Sequence, residues 1–497
     1  MTLLHELIDE AARLRPQGTA VSTGTDSMTH RQLADASIRT AAWLRAQGVG
    51  RGERVVMVGP SSVLVPVLIY AASRVGAPFT LLHEQTRGRA LDHVLRDAEP
   101  ALLVAPDEQA LEQARARGIT AASLDDLRAR VDASDQDAEA PDCAAARPLA
   151  VDPVCLIYTS GTTAAPKAVV STHEQAVFAV RAIQSALGYR PDDVVYCPLP
   201  LSFDYGMYQL FLGAASGARV HLGLPAEVGP SLLRNVVEAG TTVLAAVPAV
   251  AHTLARLLRR TPTEMPGLRL LTNTGAAMPP ETLADLRAAV PSLRVQLMFG
   301  LTECKRAAIM PPDADLDHPG ACGLALPGTE VFAADAAGNR LPPGEIGELV
   351  VRGPNVMAGY WRRPELTAQR FPRQDGLFPR LCTGDHGWLD EEGYVHFVGR
   401  LDDIYKERGF RVSSTEVEAA ARRIDGIEGA AVLPPLDGRA AVLAVVGDVA
   451  PHQVLLLMRE EIEEFKIPGS CVVVPELPLT RNGKVDRKAL LAEVSGA

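Results

Sequence analysis

Tyr158-Thr159-Ser160-Gly161-Thr162-Thr163-Ala164-Ala165-Pro166-Lys167 follows directly on the apolar run Val154 to Ile157 and ends on a lysine. The run reads as a strand and the segment after it as a phosphate cradle. Four aliphatic hydroxyls supply donors, Gly161 lets the backbone approach a ligand closely, and Lys167 adds a cation. It is not a Walker A element, which needs Gly-Lys-Ser/Thr opening a helix, whereas here Pro166 precedes the lysine. A Ser/Thr-rich surface turn is the plainer alternative.

Outward from this loop, short β-rich runs alternate with helical spacing. Val55 to Val58, Ala101 to Val104, Val154 to Tyr158, Val194 to Pro198, Arg219 to Leu222, Val243 to Val247 and Leu268 to Thr272 read as strands. Residues 4–14, 29–47, Val63 to Val75 and Pro280 to Ala289 read as helices. The alternation predicts an α/β fold: a large multi-layered N-terminal domain with mostly parallel sheets. Residues 131–147 are acidic and aperiodic and read as a surface loop. From about residue 320, Gly-Pro turns and short alternating strands (Glu330 to Ala333, Gly347 to Arg352, Tyr394 to Val398) predict a β-rich subdomain running to 401. A last unit, 402–497, has a helix at Ser414 to Arg423, strands near Gly429 to Leu433 and Ala440 to Val446, and a helix at His452 to Phe465. It predicts a small mobile α+β C-terminal domain, with the boundary near Leu401.

At 497 residues the chain exceeds what one core normally supports. Its net charge of −11 argues against nucleic acid or an anionic membrane as main partner, so any anionic ligand must be met by a local site. The seven cysteines include no Cys-x-x-Cys pair and suggest neither a zinc site nor a disulfide framework. With no basic, apolar leader and no 18-residue uncharged apolar run, a cytoplasmic protein without a membrane span is expected.

Four further stretches carry chemistry. In Met298-Phe299-Gly300-Leu301-Thr302-Glu303 a ring could pack on a base, Gly300 permits close approach, Thr302 could meet a phosphate, and Glu303 could hold Mg²⁺; a strand-end turn with an exposed Glu is the alternative. Thr383-Gly384-Asp385 offers a carboxylate suited to two ribose hydroxyls, or a simple Asx-turn. Gly399 to Arg411 is dense in charge at the expected domain junction, as a hinge or a solvated linker would be. Leu479 to Arg487 is a basic turn, and Lys484 matters only if the small domain brings it to the phosphate loop.

In this order the segments resemble the adenylate-forming superfamily: acyl-CoA synthetases, nonribosomal-peptide adenylation domains, amide bond synthetases and relatives. The similarity spans residues 5 to 490 and includes Ala71-Ala72-Ser73-Arg74-Val75-Gly76-Ala77, Gly344-Glu345-Ile346-Gly347-Glu348-Leu349 and Gly359-Tyr360-Trp361. The resemblance implies an enzyme that uses ATP and Mg²⁺ to convert a carboxylic acid into acyl-AMP and pyrophosphate, after which a nucleophile displaces AMP. It implies that Thr159, Ser160, Gly161, Thr162, Thr163 and Lys167 hold the β- and γ-phosphates and that Phe299, with Gly300 and Gly275, takes the adenine. Thr302 and Glu303 would serve phosphate and metal, with Thr163 on Mg²⁺ as well. Asp385 and Arg400 would hold the ribose, and Lys484 the α-phosphate region and attacking carboxylate. Asp402 matches the hinge, and Lys406, Gly409 and Arg411 would face the acceptor channel. Ala164 and Ala168 stand where glycine is usual, Phe299 replaces tyrosine, and Tyr405 replaces an aliphatic residue, which bears on the channel's width.

The acid pocket implied by the resemblance has Phe203, Asp204, Tyr205, Val247, Asn273, Thr274 and Gly275 among its walls. Phe203 and Tyr205 favour a flat, aromatic or small acid. Asp204 could hold a substrate ammonium, act on an incoming amine, or cap the helix beginning near Tyr205. Lys305 and Arg306 are unusually basic here and could pair with carboxylates or meet an anionic substrate group. The acceptor is expected to be a thiol, on CoA or on a carrier protein. An amine attacking the adenylate directly is the alternative, and a non-catalytic nucleotide-binding protein the alternative of another class.

Overall fold

The computed structural model describes residues 3–133, 147–159, 166–224, 227–373, 378–400, 404–407, 410–435, 440–462, 464–480 and 484–496. The chain divides into two compact units. The first comprises Met1–Pro319, Gly323–Glu330 and Val351–Leu381.

Two large sheets organise this unit. One has nine strands, in the order Leu324–Ala325, Ala308–Ile309, Arg294–Phe299, Leu270–Asn273, Val243–Ala246, Val194–Cys197, Arg219–Leu222, Thr19–Ser22 and Ser27–Thr29. The six strands from Arg294–Phe299 to Thr19–Ser22 pair in parallel, and the strands beyond them on either side are antiparallel. The other sheet has seven strands, in the order Gly359–Tyr360, Lys167–Thr172, Pro153–Thr159, Phe79–His83, Val55–Gly59, Leu102–Ala105 and Thr120–Ser123. Near-continuous apolar runs such as Val55–Gly59 and Leu102–Ala105 suit strands covered on both faces. The helix Leu64–Val75 is apolar almost all round and buried over nearly its whole length, as a helix inside the core must be. Capping boxes at Thr29 with Gln32 and at Thr172 with Gln175 fix where the strands preceding them turn into helices.

The second unit comprises Gly320–Cys322, Val331–Val350 and Cys382–Ala497. Strands Val395–Arg400 and Arg380–Leu389 pair antiparallel in a four-stranded sheet completed by Gly347–Arg352 and Glu330–Ala334. After them come a two-stranded ribbon, Ile404–Glu407 with Phe410–Ser413, and a three-stranded sheet of Ile427–Leu433, Val442–Gly447 and Ser470–Val473. Helices Ser414–Arg422, Pro451–Glu461 and Arg487–Gly496 complete the unit. The helix expected to reach Phe465 ends at Glu461, because Ile462 turns extended (φ −153°, ψ 157°) and buries its side chain. The fold is thus α/β, with large parallel-rich sheets, a β-rich region and a small C-terminal domain. Residues 401–403, where the sequence puts the boundary and the Asp402 hinge, lie outside the described residues, as do residues 134–146 of the expected acidic loop. No helix among the described residues is long and apolar enough to cross a membrane.

Candidate active site

Strands Val194–Cys197, Val243–Ala246, Leu270–Asn273 and Arg294–Phe299 run parallel, so the segments that leave their carboxyl ends gather along one edge of the sheet. Val247 follows the second, Thr274-Gly275 the third and Gly300 to Glu303 the fourth. Gly275 adopts φ +93°, and a Cβ there would lie 3.7 Å from Phe203 Cζ and 3.9 Å from Val247 Cγ1, so three chain segments meet at this point. Asn273 donates to the Ala246 carbonyl at 3.3 Å. Tyr205, fully buried, donates its hydroxyl to the Thr272 carbonyl at 2.7 Å and lies 2.8 Å from Thr272 Oγ1. The residues expected to wall an acid pocket, Phe203, Asp204, Tyr205, Val247, Asn273, Thr274 and Gly275, are therefore brought to one edge.

Asp204 is not the helix cap the sequence allowed. The cap position of helix Asp204–Ser216 is Phe203, which makes no side-chain capping bond, and Asp204 is the first helical residue. Its side chain is buried, at 6% exposure, and among the described residues no hydrogen-bond donor meets its carboxylate. The helix N-terminus favours the negative charge but does not neutralise it.

The Phe299 turn is held by close backbone packing. A Cβ on Gly300 would run into the Lys305 carbonyl oxygen and come within 2.9 Å of Arg306 Cα, so only glycine fits. Lys305 adopts φ +63°, uncommon for a residue with a side chain. Glu303 is buried and accepts one short hydrogen bond, 2.6 Å, from the Tyr360 hydroxyl to Oε1. Burial, reinforced by the Glu303 carboxylate, pushes the Tyr360 phenol well above its ordinary range, and Arg370 opposes the shift. The buried carboxylate replaces the exposed turn glutamate that the sequence left open.

Tyr360 links this turn to the phosphate segment. Strand Gly359–Tyr360 pairs antiparallel with Lys167–Thr172, setting Tyr360 opposite Val169, and the Lys167 ammonium lies 4.0 Å from the centre of the Tyr360 ring. Thr159 and Lys167 face each other across the pair of strands that leads into and out of the loop. Ser160, Gly161, Thr162, Thr163 and Ala164 lie outside the described residues. Ala168 is buried within strand Lys167–Thr172 at ordinary negative φ, so that position does not use the freedom of a glycine.

In the second unit, Asp385 lies inside strand Arg380–Leu389 and not in an Asx-turn, and its register partner is Arg400. Thr383 bonds to the Leu349 carbonyl at 2.6 Å, and the Gly384 amide donates to Glu348 Oε1 at 2.8 Å, anchoring the segment. Lys406 and Arg411 are paired across the ribbon, while Gly409 falls outside the described residues. Tyr405 is buried with Val412 and Val417 in this unit's apolar core. Lys484 is exposed and closes a turn in which the Thr480 amide donates to its carbonyl at 2.6 Å.

Two residues escaped the sequence reading. Tyr360 belonged to a recognised motif without a role, and only the strand pairing shows that it reaches Glu303. Tyr208 sits one turn after Tyr205 on a helix, a spacing that could have flagged it; its buried phenol is pushed well above its ordinary range by burial first, then by Cys155 and Asp204.

A buried carboxylate bonded to a tyrosine whose ring also meets a lysine thus adjoins a glycine-tight turn at the carboxyl edge of parallel strands. Residues 8–361 match the AMP-binding enzyme family and residues 416–484 its C-terminal domain. The chain belongs to this family of adenylate-forming enzymes and is an AMP-forming ligase. It is 31% identical to the feruloyl-CoA synthase of an Amycolatopsis species over 489 residues, 95% of each chain. The crystal structure of VinN superposes with a TM-score of 0.74 at 39% identity, covering 80% of this chain and 98% of VinN; VinN has also been seen in complex with L-aspartate. ATP-bound MatB from Rhodopseudomonas palustris superposes with a TM-score of 0.86 at 28% identity, over 99% of this chain and 98% of MatB.

Proposed function

We propose that the chain activates a small polar carboxylic acid as its acyl-adenylate and then transfers the acyl group to a thiol. An oxygen of the acid attacks the α-phosphorus of ATP and the bond to pyrophosphate breaks. The sulfur of the acceptor next attacks the acyl carbon, the bond to AMP breaks, and the thiol proton leaves to water. The observation carrying this reading is the buried Glu303, held by Tyr360 beside Lys167 and next to the Phe299 turn. The thiol acceptor is supported by the feruloyl-CoA synthase relative, and a polar acid by the VinN complex with L-aspartate.

In this reading Thr159, Lys167 and the intervening loop hold the outer phosphates, Phe299 and Gly275 the base, and Asp385 with Arg400 the ribose. Lys484 serves the reacting carboxylate, Asp402 is the hinge, and Lys406, Gly409 and Arg411 serve the acceptor. Mg²⁺ fits Glu303: one carboxylate oxygen is occupied by Tyr360 and the second has no hydrogen bond among the described residues, which suits a metal held by one carboxylate and substrate phosphates. When bound, it would neutralise phosphate charge.

ATP–pyrophosphate exchange with a panel of acids tests the first step, and product analysis with CoA, a phosphopantetheinyl carrier protein or simple amines tests the second. Acid-dependent exchange and a thioester are expected. An amide formed faster than the uncatalysed background, with no thioester, would replace the thiol by an amine.

A further inference from the structure

Helix Gly88–Ala98 is hydrogen-bonded to both stems of the phosphate segment, through His93 and Asp97, which stand one turn apart on one face. On the exit stem, His93 Nε2 lies 2.7 Å from the Pro166 carbonyl oxygen. A carbonyl only accepts, so this ring nitrogen carries the hydrogen and donates it. On the entry stem, the Tyr158 hydroxyl donates to Asp97 Oδ2 at 2.9 Å. Burial first, then Asp97, holds this phenol well above its ordinary range, which keeps it a donor. The His93 and Tyr158 rings also meet edge-on (6.4 Å, 84°), so the two contacts form one patch.

Asp97 is buried and serves a second segment as well. Its Oδ1 accepts from Arg363 at 2.7 Å, and its carbonyl accepts from the Trp361 indole at 3.0 Å. Both donors follow closely on Tyr360, the residue bonded to Glu303. Arg362, between them, adopts φ +51° and pairs at 2.5 Å with Glu99, itself at φ +44° just past the helix end. Left-handed backbone is uncommon for residues with side chains, and two such residues are kept at this junction. One end of the helix therefore ties the phosphate segment to the chain that carries Tyr360.

Pro166 has no amide hydrogen, and strand Lys167–Thr172 begins directly after it. Because the peptide group is planar, fixing the Pro166 carbonyl also fixes the plane from which the Lys167 backbone departs. The Tyr360 ring, 4.0 Å from the Lys167 ammonium, meets the far end of that side chain. A loop whose stems are already set loses less freedom when a ligand orders it, and the difference appears as affinity.

We propose that His93 and Asp97 are positioning residues for ATP, which act through Pro166 and Tyr158 to hold both stems so that Thr159 and Lys167 stand ready for the outer phosphates. This rests on the phosphate-holding role proposed above for the segment. If the bonds only tied a surface helix to the sheet, their loss would lower stability without changing how the protein tells ATP from AMP.

The test is calorimetric titration of the full chain with Mg²⁺ and ATP and, separately, with AMP. His93→Phe keeps a ring beside Tyr158 but loses the donor, and should weaken ATP roughly 5- to 10-fold while AMP changes by less than about twofold. His93→Gln restores an N–H donor and should bind ATP within about threefold of wild type. Tyr158→Phe removes only the hydroxyl of the entry stem and should show the same weaker ATP and spared AMP, so the test survives a His93→Phe protein that does not fold. Unchanged ATP affinity in folded His93→Phe and Tyr158→Phe, or equal weakening of ATP and AMP, would overturn the positioning role. Lys167→Ala separates the two readings: weaker ATP binding in that variant keeps the phosphate role even where the positioning role fails, and unchanged binding overturns both.

Discussion

Replacing Tyr360 by Phe removes one hydroxyl and leaves the ring, so the packing of Tyr360 against Phe371 (5.4 Å, 73°) and the Lys167 cation over the ring are both retained. What goes is the 2.6 Å hydrogen bond to Glu303, the only one its carboxylate makes among the described residues. A buried hydrogen bond to a charged group contributes about 1.5–3 kcal/mol, and its loss leaves the carboxylate desolvated without a donor. With about 2.1 cal/mol/K of unfolding entropy per residue, a unit of more than 300 residues should melt roughly 2–4 °C lower. The assay is thermal or urea unfolding of wild type, Tyr360→Phe, Glu303→Gln and the double variant. The double variant should lose less than the sum of the singles, with a coupling of about 1–2 kcal/mol, since glutamine keeps the acceptor but not the charge. Additive losses, with coupling below roughly 0.3 kcal/mol, would refute the idea that Tyr360 holds Glu303.

Gly300→Ala should destabilise by about 1–3 kcal/mol and raise the KM for the acid, because the new methyl meets backbone that cannot swing aside; wild-type melting and KM would show that the turn is loose. Lys484→Ala should lose about 10²- to 10³-fold in pyrophosphate exchange while ATP still binds in calorimetry, and undiminished exchange would take Lys484 out of the chemistry. Burial first, then Arg74, lowers His5 to about 4, and burial first, then His5, lowers His173 to about 4, against 6.5 for an ordinary histidine. The native state keeps both neutral while the unfolded chain takes up protons below 6.5. Stability is therefore full above pH 6.5 and should fall as pH drops towards 4, by on the order of a few kcal/mol. Urea midpoints between pH 7.5 and 5 test this: His173→Gln should flatten the slope, and an identical slope would assign it to other groups.

Much of this fold was legible because its strands are short apolar runs and its helices amphipathic, patterns that local spacing reveals. Arg219–Leu222 and Pro280–Ala289 were read to the residue. The residues expected to wall an acid pocket came from the resemblance, and the structure shows that they follow parallel strands, which deliver their ends to one edge. Asp204 was harder. Helix spacing cannot tell a cap from a first helical residue, and the structure puts Phe203 at the cap. Tyr405 drew notice only as an aromatic where the resembled family has an aliphatic residue, and only the structure shows its ring packed in an apolar core.

The sequence by itself determined the alternation of strands and helices, the loop ending at Lys167, the glycine-bearing turn at Phe299 and the family to which these belong, since each is encoded within a few neighbouring residues. Only the tertiary structure decided that Tyr360, 57 residues from Glu303, supplies its hydrogen bond. It also decided that Lys305, Arg306 and Asp204 are buried, with no ion pair among the described residues. Burial and pairing are properties of what packs around a charge, and those neighbours come from distant parts of the chain.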